Sequence, residues 1–240
     1  MPTLKQLFPE QPPRVIFLDA MGTLFDLKSS VGEIYQQYAL KYGVAVEAAA
    51  IEQAFIKSFK SAPPLAFLDT ELAAIKQQEF NWWKQVVFAT FSELAVQEEF
   101  TDFEVFFREI YIYFATKEPW YLFPDTIPSL KQWRDRQIVL GVISNFDSRL
   151  IKVLKLLDLD PFFTSITISS LAGSAKPESR IFQIALEKHQ IASDEALHIG
   201  DSLTEDYEAA KKAGLSSLWL NRNARSLNIE NQLPNLCSLG

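Results

Sequence analysis

Residues 14–26 read RVIFLDAMGTLFD. Four apolar residues, Val15 to Leu18, run without a break into a single acid, Asp19, and the chain then turns through Gly22 and Thr23. An unbroken apolar run of this length, closed by turn residues, predicts a strand buried on both faces, as the strands of a parallel sheet are. An acid at its carboxyl end predicts a site there, because open parallel sheets bind ligands outside the carboxyl ends of their strands.

The design recurs in IVLGVIS (138–144), SITIS (165–169), ALHIG (196–200) and SSLWL (216–220). Between these runs lie helical patterns: SRLIKVLKLLDL (148–159), ESRIFQIALEKHQ (178–190) and TEDYEAAKKAG (204–214), the last stopped by Gly214. Strand and helix alternating at this spacing predict an α/β fold with a doubly wound parallel sheet. More than a hundred residues separate the first strand from the second, and they read as helices at 30–43, 47–61, 72–94 and 102–115. Apolar residues recur there at three- and four-residue spacing, as in Phe80, Trp83, Val87 and Phe91. KEPWYLFPDT (117–126) closes this insert, its prolines breaking helix. The expected organisation is a core of residues 1–27 plus 123–240 and an inserted helical cap of 28–122. Trp82, Trp83, Phe106, Phe107 and Tyr111 are expected to form the insert's own core.

Hydrophobic residues at 48% and charged residues at 22% of 240 are globular values. With 30 acids against 23 bases the net charge is -7, which disfavours binding to nucleic acid or to an anionic membrane. The one cysteine, Cys237, cannot form an intrachain disulfide. The first residues lack an apolar core of signal-peptide length, and no stretch approaches about 20 continuous apolar residues. The expectation is a cytoplasmic monomer with neither nucleic-acid nor membrane partner.

The strand ends carry the chemistry. Asp19 follows the first strand, Ser144 and Asn145 the second, Lys176 the third region and Asp201 the fourth. Singly each has a structural explanation: a helix N-cap for Asp201, a turn for Ser144, a solvated charge for Lys176. Jointly, a carboxylate, a hydroxyl, an amide, an ammonium and a second carboxylate converge on one rim. His198, inside an apolar run, reads as a core histidine, and His189, late in its helix, as a solvated one.

DAMGTLFD, VISNFDSRL, AKPESRIF and HIGDSLTEDYEAAKKAG together resemble the four motifs of the haloacid-dehalogenase superfamily, in the branch with a helical cap inserted after the first strand. SNFDSRL and KPESRIF are most similar to a subfamily of its hydrolases. The resemblance implies a hydrolase with catalytic residues Asp19, Thr23, Ser144, Asn145 and Lys176. Asp19 would be a nucleophile forming an aspartyl-phosphate, Ser144 and Asn145 would bind the transferring group, and Lys176 would neutralise its charge. Asp19, the main-chain carbonyl of Met21 and Asp201 would hold Mg²⁺, with Asp206 supporting it through water or by orienting the loop. The implied substrate is a small phosphorylated metabolite, its selectivity set largely by the cap.

At Met21 phosphatases of this superfamily carry an Asp that protonates the leaving oxygen, and methionine has no proton to give. General acid–base help is worth about 10²–10⁴ in rate, roughly 3–5.5 kcal/mol. A motif without the second acid resembles the 2-haloacid dehalogenases, whose halide needs no proton, yet those enzymes are metal-independent and lack the Gly200-Asp201 pair. Three readings stay open: phosphoryl chemistry with a good leaving group, carbon–halogen hydrolysis, and a catalytically weak member that binds a ligand or partner.

Overall fold

The structure is a computed structural model that describes residues 3–222 and 231–239. Its elements run α1 (Leu4–Leu7), β1 (Val15–Leu18), β2 (Phe25–Leu27), α2 (Val31–Ala39), α3 (Ala48–Ser61), α4 (Leu72–Glu93), α5 (Phe103–Tyr113) and β3 (Trp120–Leu122). There follow α6 (Thr126–Asp135), β4 (Val139–Ser144), α7 (Arg149–Leu156), β5 (Ser165–Ile168), α8 (Ser169–Ala172), α9 (Ser179–His189) and β6 (Ala196–Gly200). A π-helix (Leu203–Glu208), α10 (Ala209–Lys212), β7 (Ser216–Leu220) and β8 (Gln232–Leu233) complete the described chain.

The four residues of β1 are almost wholly inaccessible because a neighbour lies on each side and helices cover both faces. Six strands pair in the order β5-β4-β1-β6-β7-β8, with β1 against β4 through Ile16 and Leu140 and against β6 through Ile16 and Leu197. All these pairings are parallel. From β1 the chain winds outward through β4 and β5, then returns to the other side of β1 for β6 and β7. The strand order therefore reverses at β1, and the residue after it stands where open α/β sheets bind their ligands.

The chain divides into two compact units, one of residues 1–26, 66–68 and 122–240 and the other of 27–65 and 69–121. Strands β2 and β3 pair in a separate two-stranded ribbon. In the second unit Ser30 caps α2 through a reciprocal pair with Glu33, and Asp102 caps α5. Phe91, Phe106, Phe107 and Ile110 fill its centre, with Trp83 and Tyr111 packed around them. Trp82 is buried as well, its indole donating to the Pro63 carbonyl. The insert's aromatics thus make its own core.

Several elements escape the sequence pattern. Helix α6 carries a proline, Pro128, but in its first turn, where no internal amide bond is lost. Strands β2, β3 and β8 span two or three residues, too short to display a period. The stretch 204–214 is one pattern but two helices, a π turn followed by α10. Among the described residues no helix is long and apolar enough to cross a membrane.

Candidate active site

The site lies within the first unit. Asp19 directly follows β1, Ser144 ends β4, Lys176 stands in the loop between α8 and α9, and Asp201 directly follows β6. Lys176 is nearly inaccessible, and its Nζ bridges Asp19 Oδ1 at 2.7 Å and Asp206 Oδ1 at 2.5 Å. The sequence expectation of a solvated lysine, taken singly, gives way to a buried ammonium between two buried carboxylates.

Asp206 reaches this position because the helix starts wide. Tyr207 N donates to Ser202 O, an i to i+5 bond, and Ser202 N donates to Asp206 Oδ2 at 3.0 Å. The extra residue in the turn rotates Asp206 inward, toward Lys176. Gly200 makes room: a Cβ there would fall inside the Asp206 carboxyl group. Gly22 plays the same part on the other side. Its φ is +82°, and a Cβ would stand 2.5 Å from Asp201 Oδ2. Asp201 is exposed as a residue, but its carboxylate faces this turn and Thr23, whose hydroxyl donates to Oδ1 at 3.4 Å.

Asn145 pairs with the main chain of Lys176. Its amide oxygen accepts from Lys176 N at 2.8 Å and its amide nitrogen donates to Lys176 O at 2.8 Å and to Glu205 Oε2 at 3.2 Å. Both ends of the amide are committed to the lysine's main chain, so here Asn145 places Lys176. Ser144 is buried at the end of β4, and Met21 is 38% exposed at the rim.

The charges are unbalanced. Burial disfavours the Lys176 ammonium, but Asp19 and Asp206 outweigh it and hold its pKa above the ordinary 10.5. Burial likewise opposes the Asp206 carboxylate, yet Lys176 and then His198 keep it below the usual range. For Asp19 burial wins: its carboxyl is pushed up, with Lys176 opposing and Asp206 adding to the rise. Desolvation, then the charges of Asp19 and Asp206, push Asp201 up to about 7. Asp19, Asp201 and Asp206 each offer an oxygen, all within 4.8 Å of one another. Fully ionised, these three carboxylates exceed the one ammonium by two charges, and hard oxygen donors with that deficit suit a divalent cation such as Mg²⁺.

Other residues near the site were not singled out for it in the sequence. His198 is buried, with Nε2 at 2.8 Å from Asp206 Oδ1 and Nδ1 without a partner, so it is only half satisfied. Trp219 Nε1 donates to Asp201 O at 2.8 Å. Arg222 donates to Gly22 O, Thr23 O and the Asp125 carboxylate. Both residues stand at the end of β7, so the rule that directs attention to strand ends could have found them. His189 is not solvated: it is half-buried, its Nε2 lies 2.7 Å from Ser165 Oγ, and its ring meets Phe17 edge-on. Cys237 is a free, exposed thiol.

Known proteins resemble the chain over most of its length. The family model of haloacid dehalogenase-like hydrolases matches residues 13–214. Haloacid dehalogenase-like hydrolase domain-containing protein 3 of Mus musculus is 32% identical over 207 residues, covering 85% of this chain and 80% of that protein. A HAD phosphatase from Thermococcus onnurineus superposes with a TM-score of 0.63 at 21% identity, covering 94% of this chain and 95% of that one. A 2-haloacid dehalogenase from Pseudomonas syringae pv. Tomato DC3000 superposes as well, with a TM-score of 0.62 at 18% identity, covering 93% and 95%. The two structures share the fold and differ in their chemistry, so likeness of fold does not choose between phosphate and halide. With the family matched across both the Asp19 turn and the Asp201 loop, this chain belongs to the haloacid dehalogenase-like hydrolases.

Proposed function

We propose that the chain is a Mg²⁺-dependent phosphoryl hydrolase that uses Asp19 as nucleophile, on small phosphorylated substrates whose leaving group departs without a proton. The observation that carries this reading is the buried Lys176 held between Asp19 and Asp206, with Asp201 as a third carboxylate that this one ammonium leaves unbalanced. A transferring phosphoryl group adds more negative charge, which such a site tolerates only with a cation.

In this mechanism the Asp19 oxygen not held by Lys176 attacks phosphorus. The bond from phosphorus to the leaving oxygen breaks, and the electron pair departs with that oxygen, leaving an aspartyl-phosphate. Water then attacks the same phosphorus, the bond to Asp19 breaks, and phosphate leaves with the carboxylate restored. Ser144 donates its hydroxyl to the transferring oxygens, Thr23 steadies the Asp201 carboxylate, and Asn145 keeps Lys176 in register. Mg²⁺, when bound by Asp19, Asp201 and the Met21 carbonyl, would neutralise charge on the phosphoryl group, with Asp206 in support. Because Met21 cannot protonate the leaving oxygen, aryl and acyl phosphates should be turned over well and alkyl phosphates poorly.

Met21 also favours a second reading, hydrolysis of a carbon–halogen bond, since halide needs no proton. That chemistry leaves the Asp201 carboxylate without a task, whereas Asp206 holds Lys176 in either reading. An aryl phosphate and a 2-haloacid, each assayed with and without a chelator, separate the two. Chelator-sensitive release of phosphate supports the proposal, and chelator-resistant halide release supports the second reading. Asp19→Asn should abolish aryl phosphate turnover and the capture of beryllofluoride, and retained turnover in that variant would remove Asp19 from the mechanism.

A further inference from the structure

Two side chains at the end of β7 hold the main chain on the two sides of the carboxylate cluster. Trp219 holds Asp201 through its carbonyl at 2.8 Å. Arg222 holds the nucleophile turn: Nε donates to Gly22 O at 3.2 Å and Nη2 to Thr23 O at 2.6 Å. Its Nη1 donates to both oxygens of Asp125, at 3.0 and 3.1 Å, and its guanidinium lies 3.7 Å over the Phe123 ring. Asp125 in turn accepts from Leu236 N at 2.6 Å. Every nitrogen of the guanidinium is used, and two successive carbonyls are fixed by one rigid fork, which a lysine's single ammonium cannot reproduce.

The turn so fixed is the one that must approach Asp201 closely. Gly22 N donates to Phe25 O at 2.8 Å, so with Arg222 on its carbonyl both of its peptide groups are tied. We infer that Arg222 is a positioning residue: it sets the distance between the Met21–Thr23 turn and Asp201, and thereby the affinity of the carboxylate cluster for a divalent cation. The inference rests on the metal-dependent reading above.

The test is a titration of the full chain with Mn²⁺, followed by electron paramagnetic resonance of the free ion, in parent, Arg222→Lys, Asp125→Asn and Phe106→Ala. Phe106 is buried in the second unit, so its truncation is a control for general destabilisation. Arg222→Lys should raise the Mn²⁺ dissociation constant at least tenfold, Asp125→Asn should raise it severalfold, and Phe106→Ala should leave it within twofold of the parent. A folded Arg222→Lys with parental affinity would overturn the role of Arg222 alone, as would an equal loss in Phe106→Ala. Should Arg222→Lys fail to fold, Asp125→Asn decides, and parental affinity there overturns the inference. A parent that binds no Mn²⁺ would overturn the metal-dependent reading together with this inference.

Discussion

Replacing Lys176 by Met removes the ammonium that bridges Asp19 and Asp206 and keeps a chain of similar length. Both carboxylates are buried, so they cannot recover the lost interaction from water. Breaking a buried pair by deleting one partner costs about 3–5 kcal/mol. For a chain of 150–250 residues each kcal/mol moves the melting midpoint by roughly 2–4 °C, so the loss near pH 7 should be about 6–20 °C. The sign with pH follows from the groups left behind. Lys176, with its pKa raised, stabilises the parent fully below 10.5, and that support disappears as pH rises through its folded value. Asp206, with its pKa depressed, stabilises the parent above 3.8 and loses that support as pH falls through its folded value. Without Lys176 the Asp19 carboxyl, already above its ordinary 3.8, should rise further and Asp206 should lose the largest influence holding it down, so the penalty of burying them charged should fade as they protonate. The gap between parent and variant should therefore narrow between pH 7 and about pH 4. Calorimetry at both pH values measures it, and a variant as stable as the parent near pH 7, or a gap that does not shrink in acid, would refute the buried-pair argument.

Gly200→Ala should push Asp206 out of its place, since the added carbon has no space; on the proposed function aryl phosphate turnover should fall at least tenfold, and a crystal structure of the variant should find the bonds from Asp206 to Lys176 and His198 broken. Phe106→Ala removes a fully buried ring that packs on Tyr42, Phe91 and Phe100, and should cost the second unit about 3–5 kcal/mol by denaturant unfolding. Met21→Asp should raise hydrolysis of alkyl phosphates toward the roughly 10²–10⁴ of a general acid while changing aryl phosphates less, as read by phosphate release.

The sheet was legible because buried parallel strands are unbroken apolar runs: VIFL, ALHIG and SSLWL state their positions with no help from the rest of the chain. The insert's helices were legible from spacing. Two-residue β8 was not, since a period needs repetition, and α6 was obscured by a proline that a first turn accepts. In the site, residue types at strand ends pointed to the loops where Asp19, Lys176 and Asp201 lie together, but not to their partners. Asn145's grip on the Lys176 main chain depends on backbone atoms that carry no sequence signal. The inward turn of Asp206 depends on a π-helix written in ordinary helix-forming residues. Arg222 lies 200 positions from Gly22, and one sequence cannot show that pairing.

Met21 is 38% exposed and stands at the rim of the carboxylate cluster. An acid in its place would add a fourth negative charge beside Asp19, Asp201 and Asp206, where Asp201 is already pushed up to about 7 by its surroundings. Methionine spares the cluster that repulsion at the loss of a proton donor. The exchange is favourable where the leaving group is a weak base and needs no proton, and unfavourable where it is an alkoxide. On the proposed phosphoryl chemistry, the same residue that would weaken the site toward alkyl esters would also lower the charge that Lys176 and a cation must offset, which would tie the substrate class to the electrostatics of the cluster.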